Sequence, residues 1–388
     1  MRYVFIKKVL QSLMFFCLSL MATRNYAAEN IYQARIDKIV NDTVQPLIQE
    51  YNIPGMAVAV TLDGNHYFYN YGVMSKEAAA PITNQTLFEI GSISKTFTAI
   101  LASYAAVSNK LSLSDHASEH LPDLAKTAFD KISLLNLATH TSGLPLFVPE
   151  NIKNKDELMD YFKQWQPPYP IGTYRVYSNL GIGLLGIVTA KSLQGSYDSL
   201  LKNIILTPLG MTHTYIDVPA DKMKDYAQGY TQTGSPIRMK PAVLSSEAYG
   251  LKSCTHDLVR YIQANMNEIT VNQKLQDAID NTHLVYFKAE GITQNLMWEQ
   301  YHYPTDIKEL FKGNAALLKD TPTTRIISNL RPTADVLINK TGSTNGFANY
   351  IAFVPSKKRG VVILANKSYP IDQRVKAGYE ILEQLDKL

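Results

Sequence analysis

The feature that most constrains this chain is that its β patterning lies at the two ends, while its middle reads as helix. Near the start, Met56–Leu62 and His66–Val73 are β-rich runs separated by Asp63-Gly64. That dipeptide suits the positive φ of a tight hairpin turn. Near the end the pattern returns in Val336–Lys340, Asn349–Val354 and Val361–Ala365, with Asn345-Gly346 as one turn and the charged Ser356–Gly360 as the other. A closing helix is marked by Val375, Tyr379, Ile381, Leu382 and Leu385. A lone hairpin is marginal in water, so the two ends are expected to meet in one sheet. Between them, Asp156–Trp165, Leu180–Ser192, Tyr197–Ile205 and His256–Asn267 carry helical spacing, separated by Pro- and Gly-rich connectors. The expected fold class is therefore α/β: an antiparallel sheet built from both chain ends flanked by helices, plus a mainly helical domain. The expected boundaries are 29–105 with 325–388 for the α/β domain and 106–324 for the helical one.

Residues 1–28 stand apart. Lys7 and Lys8 precede the apolar run Val9–Ala22, and Tyr26-Ala27-Ala28 supplies small residues for cleavage, which together read as a signal peptide. The run is too short to span a bilayer, which needs about 20 residues. Four basic residues, Arg2, Lys7, Lys8 and Arg24, sit there without an acid; removing them from 38 leaves 34 basic against 34 acidic residues. A neutral mature chain gives no electrostatic case for nucleic acid or an anionic membrane as partner. Cleavage leaves one cysteine, Cys254, so no intramolecular disulfide is expected, and the thiol reads as a small core residue. His116 and His120 are one helical turn apart, but Asp115, Ser118 and Glu119 around them suggest a solvated surface rather than a metal site. No metal and no cofactor are expected.

Three short motifs follow one another. Ser92-Ile93-Ser94-Lys95 opens a helix whose Ile93, Phe97, Ile100, Leu101 and Tyr104 face one way, so serine and lysine share a face one turn apart. Ser-x-x-Lys is cheap, and Ser199–Lys202 is a second match in the same chain. Tyr177-Ser178-Asn179 precedes an apolar helix, where Ser or Asn could equally be a plain N-cap. Lys340-Thr341-Gly342-Ser343 ends a strand. Each is weak alone. Their order, at intervals of 85 and 163 residues, is not.

That order resembles the penicillin-recognising serine enzymes, whose signatures include Ser-x-x-Lys and Lys-Thr-Gly. Tyrosine at 177, where those enzymes often have serine, is similar to the class C β-lactamases. Phe88–Ser92, Leu134–Thr139, Pro208–Met211, Ala248–Gly250 and Lys340–Phe347 also look like class C segments, so the resemblance spans nearly the whole mature chain. It implies a β-lactamase/transpeptidase-like fold and a periplasmic serine hydrolase that opens the β-lactam amide of penicillins and cephalosporins through an acyl-enzyme. A monomer is implied too. By the same resemblance Ser92 is the nucleophile, Lys95 and Tyr177 the candidate proton acceptors, and Lys340 the second ammonium beside the phenol. Ser92 and Ser343 supply the oxyanion-hole N–H groups. Asn179 positions the acyl amide and holds Lys95. Lys340, Thr341, Gly342 and Arg374 line the carboxylate side, and Tyr249 walls the acyl side chain. Phe147, Ile371 and Asn339 depart from residues usual in the family, which implies weaker discrimination among amide-bearing side chains. A D-alanyl-D-alanine carboxypeptidase and a β-lactamase-fold esterase are the alternatives; the first shares the acylation chemistry, and the second usually lacks Lys-Thr-Gly.

Overall fold

The computed structural model describes residues 31–326 and 335–388; the segment 1–28, expected to be a signal peptide, lies outside them. The first expected hairpin is formed by β1 (Gly55–Leu62) and β2 (Asn65–Gly72), paired in register from Gly55 opposite Gly72 to Leu62 opposite Asn65. Asp63 and Gly64 turn the chain at φ 49° and 82°. Two consecutive positive φ values are what a turn matching the right-handed strand twist requires.

The other end of the chain supplies β8 (Val336–Ser343), β9 (Ala348–Val354) and β10 (Arg359–Ala365). β10 pairs antiparallel with β1, Met56 lying opposite Ala365, so the termini do close one sheet. Both of its faces are covered. Met56, Val58 and Val60 point to a cluster with Val361, Ile363, Val375 and Leu382, while Ala57 and Ala59 point to another with Val362, Leu364, Leu258 and Ile262. The first layer is built by α1 (residues 31–50) and the closing helix α8 (Ile371–Leu385), the second by α5 (Thr255–Asn265). This explains why these strands read as continuous apolar runs: with helices on both faces, neither side of the pleat meets water.

The sheet is wider than the sequence signals. Five further strands come from within residues 106–324 or at its edge: β3 (Tyr174–Arg175), β4 (Phe287–Ala289), β5 (Ile292–Gln294), β6 (Glu299–His302) and β7 (Thr321–Arg325). The full order is β2-β1-β10-β9-β8-β6-β5-β4-β7-β3. These additions are two to five residues long and mix polar with apolar types, so no period-2 alternation could build up in the sequence.

The expected helices over 156–165, 180–192 and 256–267 form as α3 (Lys155–Gln164), α4 (Asn179–Ser192) and α5. The stretch 197–205 differs: one α turn, Tyr197–Leu200, passes into a π-helical segment, Leu201–Leu206. The helix α2 (Ser94–Val107) is buried along most of its length and packed against α4. Cys254 is fully buried, and burial pushes its thiol up, as fits an inert core residue. His116 pairs with Glu119 and His120 with Asp115, so each imidazole answers its own carboxylate.

Candidate active site

The three motifs converge on one cleft of about 620 Å³, walled by Ser92, Tyr177, Asn179, Tyr249, Thr341, Ser343 and several apolar side chains. Ser92 sits in the tight turn Gly91–Ile93 that leads into α2, half-buried at the cleft floor. One turn on, Lys95 is fully buried and donates to Ser92 Oγ at 3.1 Å and to the Ala248 carbonyl at 2.9 Å. The expected bond from Asn179 to Lys95 is not among them. The other Ser-x-x-Lys pair, Ser199 and Lys202, is exposed on the surface.

Tyr177 enters from the opposite wall. It precedes α4, whose N-cap is Ser178: the Ser178 hydroxyl accepts from Gly181 N–H at 2.8 Å. The capping role weighed for this motif is therefore real, and it belongs to Ser178 while the tyrosine beside it faces the cleft. Two ammonium groups flank the ring, Lys95 at 5.1 Å and Lys340 at 5.2 Å from its centroid. Burial pushes the phenol up, but attraction to Lys340 and Lys95 outweighs it, and the hydroxyl is held below the ordinary tyrosine value. Burial, aided by repulsion from Lys340, brings the Lys95 ammonium down to about 8 against the pull of Tyr177.

Lys340 does not reach the cleft surface. Its Nζ lies fully buried, 3.0 Å from Glu299 Oε1. Burial alone would depress this ammonium, yet Glu299 and then Tyr177 raise it above the ordinary lysine value. Glu299 also stands 3.6 Å from Arg175, whose Nε donates to Gln294 and Nη1 to the Leu317 carbonyl. Arg374 is likewise buried beneath the cleft and reaches it through a bond to Ser343 Oγ at 2.5 Å; burial brings its guanidinium down to about 10.

Two glycines let the serine turn lie against the end of β8. A Cβ on Gly342 would stand 2.0 Å from the Ile90 carbonyl oxygen, and one on Gly91, at φ 54°, would meet the Ser343 backbone within 2.7 Å. That approach places the Ser92 and Ser343 turns side by side at the cleft floor. Opposite them the mouth is apolar. Phe147 is 70% exposed and Leu318 61%, with Leu146, Leu317 and Ile371 between them and Tyr177.

Glu299, Arg175 and Glu89 escaped the sequence reading. Glu89 is fully buried and gathers Tyr226 OH and Met239 N–H, each at 2.7 Å, and the Thr344 hydroxyl at 2.6 Å. It ties the 226–239 wall of the cleft to the turn after Ser343. A carboxylate inside an otherwise apolar run, as in Trp298-Glu299, is the one signal that could have flagged such residues.

The sequence profile of the Beta-lactamase family matches residues 40–386. A β-lactamase of Providencia stuartii is 45% identical over 379 residues, covering 97% of each chain. Among solved structures, a class C β-lactamase in complex with cefoxitin superposes with a TM-score of 0.88 at 52% identity, over 90% of this chain and 99% of that one. A D-alanine carboxypeptidase of Burkholderia cenocepacia gives 0.86 at 46% identity, over 90% and 98%. Identity at this level over almost every described residue reaches well past a shared architecture, and the chain belongs to the β-lactamase family, in its class C branch.

Proposed function

We propose that this chain hydrolyses penicillins and cephalosporins through an ester on Ser92. The observation that carries the reading is the placement of Ser92 Oγ 3.1 Å from Lys95 Nζ, beside a tyrosine ring flanked by two ammonium groups at the floor of an open cleft. A serine hydroxyl is a weak nucleophile until a neighbour takes its proton. Tyr177 and Lys95 take it as a coupled set while Oγ bonds to the lactam carbonyl carbon. The carbonyl oxygen gains charge between the N–H groups of Ser92 and Ser343, the ring C–N bond breaks, and the proton passes to the departing nitrogen. Water then attacks the ester carbon, giving its proton to the same set, and Ser92 leaves with a proton restored. Thr341, Ser343 and the buried Arg374 behind it form the side of the cleft that takes the substrate carboxylate. Asn179 and Tyr249 flank the acyl side chain, where Phe147 adds apolar surface, and Ile371 adds apolar surface near the carboxylate. All of these groups come from one chain, so a monomer suffices.

Export belongs to the same reading: segment 1–28 directs the chain to the periplasm, and among the described residues no helix is long and apolar enough to cross a membrane. The lobes 29–105 with 325–388 and 106–324 are proposed as the two domains, with the cleft between them.

A chromogenic cephalosporin tests the proposal. Sustained fast turnover supports it. A single stoichiometric burst would instead assign the chain to the D-alanine carboxypeptidases, as the Burkholderia cenocepacia relative is described, and hydrolysis of esters alone would point to an esterase.

Two further outcomes are expected. The base must be unprotonated, so kcat/KM is high above its pKa and falls as pH drops through it. With Lys95 brought down to about 8 and Tyr177 held below its ordinary 10, the acid limb should lie below 10, at about 8 where Lys95 governs it. A limb centred near 10 in a stopped-flow pH series would refute the coupling. Second, Gly342→Ala forces its Cβ against the Ile90 carbonyl oxygen, 2.0 Å away, and pushes the Ser343 N–H from Ser92. Loss of one such donor should lower kcat by about 10²- to 10³-fold in steady-state assays, with KM little changed.

A further inference from the structure

His140 follows the helical turn Leu134–Ala138, and no motif singles it out. Its backbone lies in the left-handed region, φ 60°, which a residue with a side chain holds only where its surroundings enforce it. Two hydrogen bonds and a ring contact tie it to the segment that carries Tyr177. The His140 carbonyl accepts from Val176 N–H at 2.8 Å, and its Nδ1 accepts from Ser178 N–H at 3.0 Å. Between these two bonds its ring lies on the Tyr177 ring, centroids 4.2 Å apart and planes inclined by 31°. One residue therefore grips the residue before the tyrosine, the tyrosine itself and the residue after it.

The chemistry of the imidazole suits a fixed support. Because Nδ1 accepts a backbone N–H, the ring proton is assigned to Nε2 and the ring is neutral. Burial, followed by the charges of Arg175, Lys95 and Lys340, keeps a second proton off. A protonated Nδ1 would also face the Ser178 N–H donor to donor.

We propose that His140 is the positioning residue for Tyr177, holding the phenol at the point where it meets Ser92 and the two lysine ammonium groups. The proposal rests on the β-lactamase reading of this site. The charged and titratable groups that face Tyr177 are Lys95 from α2, Lys340 from β8, Arg175 from β3, Glu299 from β6 and His140 itself. A shifted ring loses its balance among the cations first, so the effect falls on the chemical step and its pH dependence rather than on substrate affinity.

The test uses the full chain and two variants. His140→Phe keeps an aromatic ring but leaves the buried Ser178 N–H without an acceptor. His140→Asn keeps a short acceptor and tolerates the left-handed backbone, but loses the ring. For His140→Phe, kcat per titrated active site should fall about 10- to 100-fold, as for an ångström-scale misplacement of a reacting group. KM should stay within about threefold, and the acid limb of the pH profile should move to higher pH as the phenol loses its cations. His140→Asn should retain more activity than His140→Phe. A merely structural role would lower Tm and the titrated fraction while leaving per-site kcat and the acid limb in place, and that result overturns the proposal. ¹⁵N-histidine spectra of the unsubstituted protein judge it independently of variant folding. A neutral His140 with its proton on Nε2 across the acidic range supports it, and an imidazole titrating near the ordinary 6.5 overturns it. If the unsubstituted protein fails to turn over a β-lactam, the functional reading falls, while those spectra still decide whether the His140 contact exists.

Discussion

Ser92→Ala should lower kcat for a chromogenic cephalosporin by about 10⁴-fold or more, with no covalent adduct seen by mass spectrometry. The size follows from what remains. Lys95, Tyr177 and the N–H groups at the cleft floor survive the substitution, but with no oxygen to form the ester they can only orient water. Lys95 then keeps its bond to the Ala248 carbonyl and loses its partner at 3.1 Å. Binding should change little, because Oγ is one small atom at the base of a cleft of about 620 Å³. A variant that still destroyed penicillins at the parental rate would remove Ser92 from the mechanism, and with it the meaning of the three-motif order.

The second large effect is on stability. Glu299→Ala should destabilise the fold by about 3–5 kcal/mol, read from the urea midpoint at constant slope. Glu299 stands 3.0 Å from Lys340 and 3.6 Å from Arg175, and both cations have no exposed surface. Attraction between buried charges often does no more than match the cost of drying them, but removing the acid leaves Lys340 and Arg175 buried without their shared counter-charge. The Lys340 ammonium, raised chiefly by Glu299 against burial, should then drop, while the direct upward push of Glu299 on the Tyr177 phenol is lost as well, so the balance of charges around the phenol is upset. Activity should fall along with stability. A companion Lys340→Met change should recover part of the lost stability without recovering activity, since it removes one of the stranded charges. Parental stability in Glu299→Ala would show that the acid does not neutralise this cluster.

The contrast between Ser92 and Glu299 marks where the sequence stops being readable. Ser92, Lys95, Tyr177 and Lys340 could be named in advance because their chemistry sits in short, fixed spacings that survive in the one-dimensional string. Glu299 meets Lys340 across 41 residues and Glu89 meets Thr344 across 255, and neither pair leaves a local trace. His140 is hidden for the same reason: its meaning lies in Val176, Tyr177 and Ser178, which tertiary packing brings against it. The fold shows the same division. β1, β9 and β10 are long and buried on both faces, so their apolar runs announce them. β4 to β7 are short strands of mixed polar and apolar residues held by their neighbours, and they announce nothing. Phe147 and Arg374 fall between these cases. Each was picked out by resemblance, but only the packing shows that Phe147 is a bare phenyl at the mouth and that Arg374 works from beneath through Ser343.

The pairing of Met56 with Ala365 also dictates an order of events during synthesis. β1 leaves the ribosome with only β2 beside it, and its other edge stays open until some three hundred more residues have been made. The half of the sheet made of β6, β5, β4, β7 and β3 can pair within itself, but it stays separate from β1 and β2 until β8 to β10 are supplied. Until the final helix is released the polypeptide is held back from its native state by topology, because the contacts that complete the sheet are long-range. The strand that covers the open edge of β1 is thus the last strand of the sheet to be made.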